Sequence, residues 1–96
     1  MSPKNRKKLE KVRKKLDRLD NEFLRIIKIR TDLVNKVTKL KQFKSEIVDT
    51  KRIKKILFNI RRKSLRKKID STVTNKIWKN MILTYIDHQR KNFKKK

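Results

Sequence analysis

The stretch LEKVRKKLDRLDNEFLRIIKIRTDLVNKVTKL, residues 9–40, decides the fold. Its positions Leu9, Val12, Leu16, Leu19, Phe23, Ile26, Arg30, Leu33, Val37 and Leu40 are alternately three and four residues apart. That spacing is an unbroken heptad seam with one charged intruder, Arg30, and it predicts a single long helix. Arg13, Asp20, Ile27, Val34 and Lys41 flank the seam on one side. At 1.5 Å per residue the helix is roughly 50 Å long, more than the rest of the chain can cover. The seam therefore calls for a long partner, and a second copy of the chain is the simplest one.

Residues 1–8 (MSPKNRKK) read as a disordered basic lead-in to a helical domain over 9–93, and 94–96 as a disordered basic tail. Residues 42–48 break the pattern and form a short connection. Asp49 or Thr50 can cap a short second helix with the stripe Ile53, Ile56, Leu57 and Ile60. This helix is expected to fade through the basic run 61–68, RRKSLRKK, as a solvated end plus turn. Asp70, Ser71 and Thr72 are candidate caps for a third helix of medium length. Its apolar face holds Val73, Ile77, Trp78, Met81, Ile82, Tyr85 and Ile86, and Gln89 continues it. The expected architecture is all-α: one long, one short and one medium helix.

Composition removes many functions. With no Gly and no Cys, Gly-rich phosphate loops, disulfides, thiolate metal sites and cysteine nucleophiles are not expected. One His builds neither a His-based metal site nor a proton relay. No apolar run is long enough for a membrane span, and no secretory signal is visible; the expected compartment is the cytoplasm. The chain carries 33 Lys+Arg against 9 Asp+Glu, a formal net charge of +24. Such a balance attracts polyanions, and nucleic acid is the first partner to consider. A chain rich in Lys, Ile and Asn and lacking Ala is also what AT-rich codons produce. No zinc, helix-turn-helix or RNA-binding signature accompanies the charge.

Arg30 is the sharpest anomaly, because a guanidinium in an apolar seam is costly unless an anion or acceptor meets it. It either snorkels to the edge or pairs with a partner's acid, or it faces a ligand. Lys41 lies eleven residues on, almost three helical turns, so it shares nearly the same face, roughly 16 Å along the axis. Two inward cations suggest a pocket for a small polyanion. Arg13 is rotated off that face and roughly 25 Å from Arg30 along the axis, so it reaches such a pocket only from another subunit. Gln89 is either a satisfied core amide or a donor aimed at a ligand oxygen. Arg52 and His88 read as surface residues, and Trp78 and Tyr85 as core.

The run Arg13-x-x-Leu16-Asp17-x-Leu19-Asp20, then Phe23-Leu24-x-x-Ile27-x-x-Arg30-x-x-Leu33-Val34-x-x-Val37-x-x-x-Lys41, resembles the first helix of the all-α chorismate mutases. The resemblance continues through Asp49-x-x-Arg52 and ends with Ile77-Trp78, Met81-Ile82 and Ile86-x-x-Gln89, as in the bacterial monofunctional forms. It covers residues 9 to about 93 and implies an intertwined homodimer with two shared sites, in the shikimate pathway of aromatic amino acid biosynthesis. The substrate it implies is chorismate, a dianion that rearranges to prephenate with no cofactor.

The resemblance also implies roles. Arg30 binds one carboxylate and Arg13 reaches a carboxylate from the other subunit. Lys41 contacts the ether oxygen and a carboxylate, and Gln89 donates to the ether oxygen. Asp49 lies near the ring hydroxyl, with Arg52 supporting that wall. Two positions depart from the family pattern: Ile53 stands where a Glu usually holds the ring hydroxyl, and Tyr85 where a small hydroxyl residue is common. The same fold also serves isochorismate pyruvate-lyases and inactive relatives.

Overall fold

The computed structural model describes residues 1–94 and contains α1 (Pro3–Leu40), a one-turn 3₁₀ helix (Lys44–Ile47), α2 (Thr50–Arg66) and α3 (Ser71–Asn92). No strand occurs among the described residues. The chain divides into two units, Met1–Leu33 and Val34–Lys96, and α1 contributes to both. No helix is long and apolar enough to cross a membrane.

The first unit is helix from Pro3, six residues before the heptad begins, so the lead-in expected to be disordered is helical from there. The cause is local. Ser2 caps the end: its Oγ accepts from the Asn5 N–H (3.2 Å) and its carbonyl from the Arg6 N–H (2.9 Å). Pro3 then occupies the first helical position, where its fixed φ is already helical and its missing N–H costs nothing. Among the heptad side chains of this unit, Val12, Leu16, Leu19, Phe23, Ile26 and Leu33 are exposed, and Leu9 is half-buried. Arg13 is exposed and Arg30 is half-buried.

The second unit begins with the last two turns of α1. Here too the heptad positions Val37 and Leu40 are exposed. The face turned toward the rest of the unit carries Val34, Asn35 and Thr38 instead, and Thr38 is buried. The helix stops at Leu40, so Lys41 stands one residue past it rather than on it; its N–H donates to the Thr38 carbonyl at 3.2 Å in a tightened last turn. The Glu46 carboxylate then ties the connection together, accepting from the backbone N–H of Gln42 (2.8 Å) and Phe43 (3.3 Å). Ile47, the most buried apolar residue at 4% exposure, pins this connection against α3.

Asp49 caps α2, its Oδ1 accepting from the Arg52 N–H at 3.0 Å. The stripe Ile53, Ile56, Leu57 and Ile60 is half-buried, and α2 packs on α3. Contrary to the expected fading after residue 60, α2 runs on to Arg66 through the basic run. Ser64 explains this. It is buried, donates to the Ile60 carbonyl (2.6 Å) and shares a hydrogen bond with the Thr74 hydroxyl of α3 (2.7 Å). The helix ends in a Schellman motif: the Ile69 N–H reaches the Ser64 carbonyl (2.9 Å) and the Lys68 N–H the Leu65 carbonyl (3.2 Å). With no glycine to take the left-handed position, Lys68 adopts φ 57°.

Of the three candidate caps for α3, Asp70 is the one used, accepting from the Thr72 N–H at 2.9 Å. The helix ends at Asn92. Trp78, Met81, Ile82 and Tyr85 are half-buried and Ile86 and Gln89 buried. Val73 and Ile77, expected on the same face, are exposed. Of the basic tail, Lys95 and Lys96 lie outside the described residues.

Candidate active site

Within the unit Val34–Lys96, the end of α1 meets the last turns of α3, and a set of polar side chains converges there. Gln89 is buried at 9% exposure on α3. Its Oε1 accepts from the Lys41 Nζ at 3.2 Å and from the Thr38 Oγ1 at 3.2 Å. An ammonium can only donate, so the amide atom facing Lys41 is the oxygen, and the orientation of the amide follows from its neighbour. Both N–H donors of the amide then point away from Lys41 and form no hydrogen bond among the described residues. Lys41 Nζ also lies 3.5 Å from the Ile47 carbonyl, which holds the ammonium between connection and helix. Of its three donors, one remains for a further acceptor.

The geometry bears on two residues read from the sequence, Gln89 and His88. Gln89 is at once a buried amide with a satisfied oxygen and a donor with its nitrogen unspent. His88, read as a surface histidine, is half-buried: its Nε2 is 2.8 Å from Asn35 Oδ1 on α1, and its Nδ1 is 3.4 Å from Asn92 Nδ2. The Asn92 amide nitrogen also donates to the His88 carbonyl at 2.8 Å. His88 thus ties α3 to α1 one residue before Gln89. Tyr85, one turn earlier, is half-buried and meets the His88 ring edge-on, with centroids 6.2 Å apart and planes at 83°.

Thr38 was not singled out by sequence reasoning. It is 7% exposed, and its hydroxyl proton is shared between the Val34 carbonyl (2.9 Å) and Gln89 Oε1. The available signal was its spacing: Val34, Thr38 and Lys41 are four and three residues apart, one face of the helix beside the seam. An open groove bordered by Asn35, Thr38, Lys41, Phe43, His88 and Asn92 gives this face access to solvent.

The remaining candidates are placed as follows. The Asp49 side chain is engaged as the cap of α2, and Arg52, whose backbone N–H it accepts from, is exposed. Ile53 is half-buried among the apolar stripe of α2, so the position directly after Arg52 carries no carboxylate. Arg13 and Arg30 belong to the unit Met1–Leu33, where they lie on different faces of α1 and roughly 25 Å apart along its axis. Among the described residues no group of three or more His, Cys, Asp or Glu side chains is arranged to hold a metal ion.

Chemically, the set Lys41, Gln89 and Thr38 can donate to an oxygen that carries negative charge. It offers one cationic donor and one neutral amide donor, fixed from behind by a hydroxyl and a carbonyl. Residues 12–90 match the family model described as chorismate mutase type II. No curated protein and no solved structure matches the chain.

Proposed function

The chain belongs to the chorismate mutase type II family, and from that premise we propose that it rearranges chorismate to prephenate as a homodimer with two sites, each completed by both subunits. The enzyme is an isomerase. Its reaction is unimolecular: the ether C–O bond breaks as a C–C bond forms, and no proton or electron leaves the molecule. Catalysis then consists of holding the compact conformer and stabilising the charge that develops on the ether oxygen.

In this reading Gln89 donates through its free amide N–H to the ether oxygen, and Lys41 brings its ammonium to the same oxygen and to a nearby carboxylate. Arg30 binds one substrate carboxylate, and Arg13 of the partner subunit binds a carboxylate from across the dimer. Asp49 spends its side chain on the α2 cap, so it meets the ring hydroxyl through its backbone, with Arg52 and Tyr85 bordering the wall. With Ile53 beside Arg52, that hydroxyl is held less firmly than a carboxylate there would hold it. The observation that carries the reading is the Lys41–Gln89 pair, whose amide oxygen is engaged and whose N–H donors are free. Removing one such donor typically costs about 10²–10³ in turnover.

The homodimer has its own support. The apolar heptad side chains from Val12 to Leu40 are exposed, and their period suits another helix of the same kind. A test of the shared site mixes two inactive chains, Arg13→Ala and Lys41→Ala. After random exchange of subunits about half the dimers are mixed, each with one intact site, so about a quarter of wild-type activity should return. Mixed dimers with no activity would overturn the assignment of Arg13 to the opposite subunit.

A further inference from the structure

The charge of this chain is not evenly spread. Ten of the twenty residues from Thr50 to Ile69 are Lys or Arg and none is Asp or Glu, whereas five of the nine acidic residues fall in α1. A codon bias toward Lys raises charge everywhere; it does not clear one helix of acids. We propose that the solvent face of α2 is a docking surface for the phosphodiester backbone of a nucleic acid, bound without readout of base sequence.

The geometry supports this. The apolar stripe of α2 packs on α3, and on the opposite side Lys51, Lys54, Lys55, Arg61, Arg62 and Arg66 are all exposed. They share one broad face of the helix and span sixteen residues, a rise of roughly 22 Å. The ion pairs among the described residues lie in α1, between Arg25 and Glu22 and between Lys28 and Asp32, so none neutralises this face. Like charges three and four residues apart, such as Lys51 with Lys54 and Lys55 or Arg62 with Arg66, repel one another. A polyanion converts that repulsion into attraction and releases its own counterions.

Two features favour a nucleic acid over an anionic bilayer. A helix that lies in a membrane surface needs a continuous apolar face, and the one on α2 is spent on α3. Phe58 and Leu65 are the exposed large apolar residues of α2, and Phe58 stands in the middle of the cations with the Arg62 guanidinium 5.7 Å from its ring centroid. An aromatic ring flanked by guanidinium forks offers stacking to a base and bidentate hydrogen bonds to its phosphates. The face also stays open in a dimer, because burying six unneutralised cations in a protein interface is prohibitive. This proposal is independent of the catalytic reading.

The test measures binding of a 20-nucleotide mixed-sequence single-stranded RNA by fluorescence anisotropy across a salt series. The wild-type protein is compared with K51Q/K54Q/K55Q/R61Q/R62Q/R66Q. Six phosphate contacts on a single strand correspond to a slope of about −4 in log K against log salt, which the variant should lose, with a fall of about 100-fold or more in affinity at 0.1 M salt. Turnover of chorismate should be unchanged, since none of the six belongs to the site. The smaller variant K54Q/R61Q/R62Q should lose about half the slope and serves if the larger one does not fold. Phe58→Ala should weaken RNA binding and leave binding of inorganic polyphosphate unchanged. RNA bound by the charge variants within threefold of wild type would overturn the proposal, as would vesicles with one-third anionic lipid bound more tightly than RNA.

Discussion

Replacing Thr38 by Val isolates what fixes the Gln89 amide. The substitution keeps the side-chain shape and removes one hydroxyl, and the structure shows that no buried group is orphaned by it. Gln89 Oε1 retains the Lys41 ammonium at 3.2 Å, and the Val34 carbonyl keeps its own helical hydrogen bond. The stability loss should therefore sit at the low end for a lost hydrogen bond, about 0.5–1 kcal/mol. The effect on function should be larger than that. With one of its two anchors gone, the amide rotates more freely about its last torsion, and its N–H donors no longer wait in one direction. Loss of an outer partner of this kind typically costs about 10-fold or more in activity. The assay follows chorismate absorbance under saturating and limiting substrate. The expected result is a fall of about 10-fold in kcat with KM changed little, because in the proposed function the amide acts where charge develops rather than where substrate is first held. Thr38→Ser, which restores the hydroxyl, should recover most of the rate. A Thr38→Val enzyme that turns over within twofold of wild type would refute the claim that Thr38 positions Gln89.

Other outcomes follow from the same structure. Lys68→Gly relieves the left-handed residue of the α2 cap and should raise stability by about 0.5–1 kcal/mol in thermal unfolding, while Lys68→Val at the same place should lower it. A neutral or negative effect of the glycine would show that the positive φ is not strained. Phe23→Glu places a carboxylate in the middle of the exposed seam and should leave a chain that sediments as a monomer and turns over no chorismate. A Phe23→Glu protein that remains dimeric would show that the subunits meet elsewhere.

How far the residues speak for themselves differs from element to element. The heptad from Leu9 to Leu40 announces α1 because a 3.5-residue period sustained over thirty residues has one structural solution. Asp49 and Asp70 announce the next two helices, because a short acidic side chain just before an apolar stripe is a cap in wait. The register also pointed to Lys41 and, through the family resemblance, to Gln89, which hydrogen-bond to each other in the structure. Other features rest on contacts between residues distant in sequence. Ser64 inside RRKSLRKK looks like a solvated serine until Thr74 is known to lie beside it, and that pairing carries α2 six residues past Ile60, the last residue of its apolar stripe. Thr38 and Asn35 read as ordinary polar positions of a helix. Their partners Gln89 and His88 are more than fifty residues away. The start at Pro3 was legible in principle, since Ser2-Pro3 is a cap followed by a preferred first residue, but the basic residues around it read as solvated chain.

In the proposed enzyme a second chain covers the exposed seam of the long helix, and the Lys41–Gln89 pair serves the ether oxygen of each site. Both meet in one measurement, the disappearance of chorismate and appearance of prephenate in the presence of the purified protein alone. The account predicts turnover many orders of magnitude above the uncatalysed rearrangement, with no added cofactor, lowered about 10²–10³-fold by Gln89→Leu in a protein that keeps its helical fold. Chorismate consumed no faster than in buffer, by a folded and dimeric protein, would contradict it.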